Sequence, residues 1–298
     1  MTNKILITGG AGFIGSYLIN KIKNKKKILV VDKVKNKKTL IKFKKLNIKY
    51  IYGNLLNINF CKKIYKNVDI IYHLAGDVKV PNTDFNLDKK KEIKIFNEAT
   101  KIMQNLISFT NKNTKIILPS THLIFENCKK NNQIFYETSL PLTNLAYSRS
   151  KLKCEQMIKE SGLKFNILRL GSVYGLAENK KRMFNLPNLF PLRAKKKFDL
   201  KLFSDGIQIK SIISVKDVVR AMVFLSKNKY NNEIYHLVSE HFTVREIAEI
   251  CKSINPKLKL NSTKDKIPYV GYHMNCDKIL KKGFKFKYLY KNFMKEFL

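Results

Sequence analysis

The chain has 298 residues, 44% of them hydrophobic, and no tract rich in Ser, Gly or Pro, so it has enough apolar surface for a large core. No apolar run approaches the ~20 residues of a membrane helix, which excludes a helical membrane protein. The formal net charge of +37 invites a nucleic-acid role, but arginine supplies only 6 of the 59 basic residues and the lysines run along the whole chain. A solvated lysine-rich surface is therefore expected, with no specific nucleic-acid site and no membrane partner.

A β-branched run at residues 4–8 begins almost at Met1, so no signal peptide is expected. The five cysteines (Cys61, Cys128, Cys154, Cys251, Cys276) are scattered and never spaced C-x-x-C, which predicts reduced thiols, a cytoplasmic chain and no structural metal. Further strands are expected at 27–32, 49–52, 70–74, 115–118 and 165–170. Helices are expected between them, at 13–23, 37–46, 60–66, 89–110 and 146–161. Short, continuously apolar strands alternating with amphipathic helices mean a parallel sheet covered on both faces. After Gly175 the rhythm breaks into mixed sequence rich in Pro and Lys. A strand at 212–215, a helix at 218–226 and a helix near 244–253 interrupt it.

Thr8-Gly9-Gly10-Ala11-Gly12-Phe13-Ile14-Gly15 joins the first strand to the first helix. Gly9 suits a tight turn, Gly12 lets the backbone approach a pyrophosphate, and Gly15 allows helix and strand to pack closely. The helix start at Phe13 and Ile14 would then offer unpaired N–H groups to phosphates. Asp32 ends the second strand, where a carboxylate can bind both ribose hydroxyls of NAD and repel the 2′-phosphate of NADP. Lys33 beside it leaves some room for NADP.

Tyr147-Ser148-Arg149-Ser150-Lys151 places a phenol and an ammonium at i and i+4, on one helical face. An ammonium beside a phenol favours the phenolate, a proton acceptor useful at neutral pH. The pattern alone is cheap: 14 tyrosines among so many lysines give about two or three such pairs by chance. Tyr17 and Lys21 form one of these, read as surface or packing.

The glycine spacing resembles that of the extended short-chain dehydrogenase/reductase family, the nucleotide-sugar epimerases and dehydratases, and the likeness runs from about residue 4 to 286. Gly53-Asn54-Leu55 resembles the family's Gly-Asp-Leu turn beside adenine. Tyr72-His73-Leu74-Ala75-Gly76 resembles its His-Leu-Ala-Ala/Gly strand end beside the cofactor. Asn97 falls where the family keeps an Asn at the start of its long fourth helix. Ser120-Thr121-His122-Leu123-Ile124-Phe125 resembles Ser-Ser-x-x-Val-Tyr, which implies Thr121 as the catalytic hydroxyl, with Ser120 as an alternative. Glu137 and Pro141 stand at the family's usual distance before the catalytic Tyr147. His122-Leu123 occupies the slot where 4,6-dehydratases carry Asp-Glu, so His122 is read as structural or substrate-contacting. Ser172, in Leu168-Arg169-Leu170-Gly171-Ser172-Val173-Tyr174-Gly175, replaces an Asn that contacts the sugar nucleotide. Lys210 replaces an Arg that grips the substrate diphosphate.

The resemblance implies an α/β Rossmann-type doubly wound parallel sheet with a smaller, interleaved C-terminal substrate-binding domain. The division is expected near 171: NAD-binding over 1–171, with a segment near 207–235 returning to it, and mainly substrate-binding over 172–298. It implies Tyr147, Lys151 and Thr121 as catalytic residues. The cofactor-binding set is Gly9, Gly12, Phe13, Ile14, Gly15, Asp32, Lys33, Asn54, Leu55, Leu74, Ala75, Gly76 and Asn97 together with Tyr147 and Lys151. Thr121, His122, Ser172 and Lys210 would contact a nucleotide-diphosphate sugar. A homodimer through the helices at 89–110 and 146–161 is also implied. The expected reaction is 4-epimerisation through a transient 4-keto sugar, with a 4-ketoreductase or a dehydratase as the alternatives.

Overall fold

The computed structural model describes residues 4–34, 37–76, 88–130, 132–177, 185–264 and 270–298. Contacts divide them into two compact units. The first comprises 1–120, 144–168 and 219–234, and the second 121–143, 169–218 and 235–298, in both cases as far as described. The cut expected near 171 falls just after a strand ending at Leu170, whereas the contacts also assign 121–143 to the second unit.

The first half of the chain alternates strand and helix: β1 (Ile5–Thr8), α1 (Phe13–Lys21), β2 (Ile28–Asp32), α2 (Lys37–Lys45), β3 (Lys49–Tyr52), α3 (Ile58–Ile64), β4 (Ile70–His73), α4 (Lys89–Phe109) and β5 (Lys115–Thr121). After β6 (Ile134–Phe135) come α5 (Ala146–Glu160), β7 (Lys164–Leu170) and β8 (Ser172–Tyr174). Every strand and helix expected up to Leu170 is present, with ends displaced by three residues at most. The remainder is α6 (Leu186–Lys195), β9 (Leu200–Phe203), β10 (Ile209–Ser214), α7 (Val215–Lys227), β11 (Glu233–Leu237), β12 (Glu240–Thr243), α8 (Val244–Ile250), β13 (Leu260–Thr263), β14 (His273–Met274), α9 (Asp277–Lys281) and α10 (Tyr290–Phe293).

Seven strands form one sheet in the order β3-β2-β1-β4-β5-β7-β11, and β1 pairs in parallel with both β2 and β4. The order reverses direction between β1 and β4, which opens a crevice at the C-terminal ends of those strands. The central strands are buried on both faces, as in β5 where all seven residues are, and on one face Leu6, Ile71, Ile116 and Ile167 from the sheet join Cys61, Leu106 and Ile158 from helices in one core. Asp88 caps α4 by accepting the Lys90 N–H at 3.0 Å, so the 21-residue helix starts there. Asn97 therefore lies two turns inside α4, on an exposed position, and not at the helix start where the resemblance placed it.

In the second unit β12, β10 and β8 form a three-stranded sheet, with β8 parallel and β12 antiparallel to β10. Its own core gathers Tyr174, Phe190, Leu202, Ile212, Ile247, Tyr290 and Phe293. Helix α6 was not expected, because it contains Pro187 and Pro191. Pro187 sits in the first turn, where no N–H is needed. Pro191 lacks the N–H that would reach the Pro187 carbonyl, and the buried Tyr290 hydroxyl donates to that oxygen instead at 2.8 Å. A tertiary contact thus completes a helix that local sequence argues against.

Candidate active site

At the end of β1 the chain turns at Gly9, with φ +71°. A Cβ there would lie 2.7 Å from the Leu74 and Ala75 backbone, so only glycine lets the end of β4 approach this closely. The Gly15 position is equally closed, 2.6 Å from Gly10 Cα, which brings α1 down onto the turn. Gly12 is the N-cap of α1 and supplies no side-chain hydrogen bond. The first-turn N–H groups at Phe13 and Ile14 therefore receive no capping side chain from Gly12, have no intrahelical partner, and carry the positive end of the helix dipole.

Asp32 ends β2 and spans the mouth of this turn. One carboxylate oxygen accepts the Ala11 N–H at 2.9 Å and the other the Val34 N–H at 3.0 Å. The two bonds fix the carboxylate while leaving lone pairs on both oxygens. Lys33 next to it is exposed. Asn54 is exposed and its side chain accepts the Leu56 N–H at 3.1 Å, which holds the turn after β3. The Leu55 side chain belongs to the core, and its carbonyl accepts from buried Asn105 at 2.8 Å.

The end of β4 is fixed by a pair the sequence motif contained without revealing its geometry. Thr8 Oγ1 meets His73 Nδ1 at 3.0 Å and accepts the Ala75 N–H at 3.3 Å. Burial, and secondarily the Lys151 charge, push the His73 imidazole down to about 3, so it stays neutral. Leu74, Ala75 and Gly76 are thereby held against the glycine turn.

Tyr147 and Lys151 both lie on α5, one turn apart and each partly buried. The Lys151 ammonium donates to the Pro119 carbonyl of β5 at 3.3 Å and lies 3.8 Å from the Cβ that Gly76 lacks. It thus sits where β4 and β5 end, on the crevice side of the sheet. Thr121 is buried at the end of β5, and its hydroxyl accepts the Leu123 N–H at 3.1 Å as the cap of a 3-10 turn over His122–Phe125. The Ser120 hydroxyl is buried and has no hydrogen-bond partner among the described residues.

The substrate-side residues of the second unit cluster together. Ser172 Oγ lies 3.3 Å from His122 Nε2. In the β8–β10 register Ser172 stands opposite Ile212, so Lys210, two residues earlier on β10, shares its face. The Lys210 ammonium has no ion pair with a described acidic residue, and burial lowers it from the ordinary lysine value. His122 is pushed down to about 3 by burial and then by the Lys210 charge. Tyr272, which no motif singled out, closes the cluster: its hydroxyl donates to the His122 carbonyl at 2.6 Å and lies 3.1 Å from His122 Nδ1. A separation of 150 residues left no local signal for that contact.

The family model for the NAD dependent epimerase/dehydratase family matches residues 5–238. The chain is 29% identical over 279 residues to the dTDP-D-glucose 4,6-dehydratase of Dictyostelium discoideum, covering 85% of this chain and 62% of that one. It is 26% identical over 264 residues to UDP-glucuronic acid decarboxylase 1 of Danio rerio, covering 84% of this chain and 60% of that one. The chain thus spans less than two thirds of the length of either relative. The UDP-glucose 4-epimerase of Thermotoga maritima, solved with UDP-glucose, shares the fold at a TM-score of 0.81 and 22% identity, covering 98% of this chain and 96% of that one. Among the described residues no helix is long and apolar enough to cross a membrane.

Proposed function

The chain belongs to the NAD dependent epimerase/dehydratase family, and from that premise we propose that it is a nucleotide-sugar 4-epimerase acting through a transient 4-keto sugar. The observation that carries this reading is the Lys151 ammonium, held on the Pro119 carbonyl beside Gly76, one helical turn from Tyr147.

The first unit fits a dinucleotide. The glycine turn has no room for side chains at Gly9 and Gly15, the α1 N-terminus carries no side-chain cap, and the Asp32 carboxylate is fixed with lone pairs to spare. Phe13 and Ile14 would present their N–H groups to the pyrophosphate, and Asp32 would accept from the ribose hydroxyls. That choice makes NAD the cofactor over NADP, since a 2′-phosphate would face a carboxylate. Bound NAD supplies the acceptor, and later the donor, of hydride at the sugar carbon.

The protein's own part is proton transfer and positioning. Tyr147 takes the proton from the C4 hydroxyl, with Lys151 stabilising the phenolate and Thr121 donating a hydrogen bond to the reacting oxygen. Lys210 neutralises substrate phosphate as a point charge, without the bidentate fork of an arginine. Epimerisation at C4 would need no second acid/base pair, since Tyr147 could return to the same oxygen the proton it removed. A dehydratase would need one, and the slot where such a pair is expected holds a neutral His122 and an apolar Leu123. Helices α4 and α5 pack on each other and would pair two copies into a homodimer.

The test is to incubate the purified chain with UDP-, dTDP- and GDP-hexoses and follow product configuration by NMR. Interconversion of a C4 epimer pair with NAD retained through purification is expected. A stoichiometric requirement for NADPH would overturn the reading in favour of 4-keto reduction.

A further inference from the structure

Three side chains far apart in sequence are wired in series in the second unit. The segment before β14 docks on β10: Ile209 N–H donates to the Val270 carbonyl at 3.2 Å, and Ser211 Oγ donates to the Tyr272 carbonyl at 2.8 Å. Between those bonds Gly271 has φ +84°, and a Cβ on it would lie 2.1 Å from the Ile209 carbonyl oxygen. Glycine is therefore what lets this strand approach β10 and deliver Tyr272 to His122. The Tyr272 ring is held edge-on by Phe125 and Phe135, at centroid distances of 6.0 and 5.3 Å, and only 5% of the residue is exposed.

The hydrogen bonds admit one consistent set of proton positions. The Tyr272 hydroxyl has one proton, and the 2.6 Å contact with the His122 carbonyl takes it, since two bare oxygens would repel at that distance. The Tyr272 oxygen can then only accept from His122 Nδ1, at 3.1 Å, so the imidazole proton sits on Nδ1. A neutral ring protonated there leaves Nε2 as an acceptor. Ser172 must donate its own proton to it across 3.3 Å. The Lys210 ammonium nearby opposes a second proton on the ring. Ser172 is a partly exposed residue, and its oxygen is left able only to accept.

We propose that Tyr272, through His122, is a positioning residue that fixes Ser172 as a hydrogen-bond acceptor for a donor group of the sugar, a hydroxyl or an amide N–H. The proposal rests on the nucleotide-sugar reading above and adds a selection rule to it. A substrate must bring a donor to Ser172, and an analogue carrying a keto or deoxy group at that position is discriminated against. A polar group that the bound ligand covers and leaves unpaired rejects such analogues far more strongly than a shape difference alone would.

The test has two arms. In the first, full-length protein labelled with 15N-histidine is studied by NMR at neutral pH, and the His122 signals are assigned by their loss in His122→Gln. The Nδ1–H tautomer is expected in the wild type, shifting to Nε2–H in Tyr272→Phe, which keeps the ring but loses the hydroxyl. An Nε2–H tautomer in the wild type, or no change in Tyr272→Phe, overturns the relay. In the second arm, the same panel of nucleotide hexoses is assayed. Tyr272→Phe and Ser172→Ala should each raise KM about tenfold with a smaller change in kcat, the loss of one hydrogen bond. The double variant should be no worse than Ser172→Ala alone. Additive penalties, or equal loss of kcat, would overturn the relay while leaving the nucleotide-sugar reading intact. Absence of turnover by the wild type on the whole panel would overturn that reading, and the tautomer would still decide the relay.

Discussion

The glycine turn of the first unit and the Ser172–His122–Tyr272 cluster of the second fix polar groups in place by opposite means. The turn uses backbone. Within Gly9–Gly15, eclipsed approaches and uncapped N–H groups create the site, and Asp32 joins from only 21 positions away. The cluster uses side chains brought together across 50 and 150 positions, and the sense of each hydrogen bond depends on the next. A backbone site tolerates most outward-facing substitutions and fails when a Cβ intrudes. A side-chain relay keeps its shape through conservative substitutions and loses its polarity.

Perturbing each region in turn sharpens that contrast, and the largest effect is expected at the proposed proton acceptor, Tyr147. Tyr147→Phe should lower kcat by about 10²–10⁴-fold with little change in nucleotide-sugar binding, measured by steady-state kinetics and calorimetry. A rise in KM with kcat unchanged would instead make Tyr147 a binding residue.

Next is the backbone site. Gly9→Ala puts a methyl 2.7 Å from the Leu74 and Ala75 backbone at positive φ, and should cost about 2–5 kcal/mol from strain and overpacking. Urea unfolding would read this as a lower midpoint, together with lost NAD binding. An unchanged midpoint would mean the turn is looser than its contacts imply.

The pH dependence of stability separates buried histidines from exposed charge. His73, His122 and His236 are each pushed down to about 3, chiefly by burial, from an ordinary 6.5. Between those values the unfolded imidazoles bind protons that the folded ones refuse. The stability present above pH 6.5 is thus lost as the pH falls towards 3, by up to about 1.4 kcal/mol per pH unit for each histidine. Urea midpoints measured from pH 7 to 5 should decline, and His122→Gln should shallow the decline by about one proton's worth. A flat profile would show that these rings are protonated when folded.

The smallest expected change is at Asp32. Asp32→Asn should weaken NAD by about tenfold through loss of charge-assisted bonds to ribose, and should narrow the preference over NADP. Calorimetric titration with both dinucleotides checks it. If the preference is unmoved, discrimination lies elsewhere, and Lys33 is the next residue to vary.

Legibility in the sequence follows the same division. Strands β1 to β5 and helices α1 to α5 are readable because their apolar patterns are local. Helix α6 is not, since two prolines argue against it and only Tyr290, about a hundred residues later, completes it. Strands β8, β9, β12 and β13 are about as short as β1, β3 and β4 but lie after Leu170, where the strand–helix alternation that marks the earlier ones has ended. Asn97 lies two turns inside α4, within the helix expected at 89–110, because Asp88 caps that helix.

What the sequence determined by itself is the parallel crossover, the glycine turn with Asp32, and the pairing of Tyr147 with Lys151 on one helical face. Each depends on spacing within an element or across one connection, and backbone geometry turns that spacing directly into position. What only the tertiary structure decided is the polarity of the second unit's cluster: which nitrogen of His122 carries its proton, and so whether Ser172 gives or takes a hydrogen bond. That rests on Tyr272, brought in by a glycine whose missing Cβ admits a strand against β10. Contacts of that kind are selected by packing across the fold and leave no periodic trace in the chain.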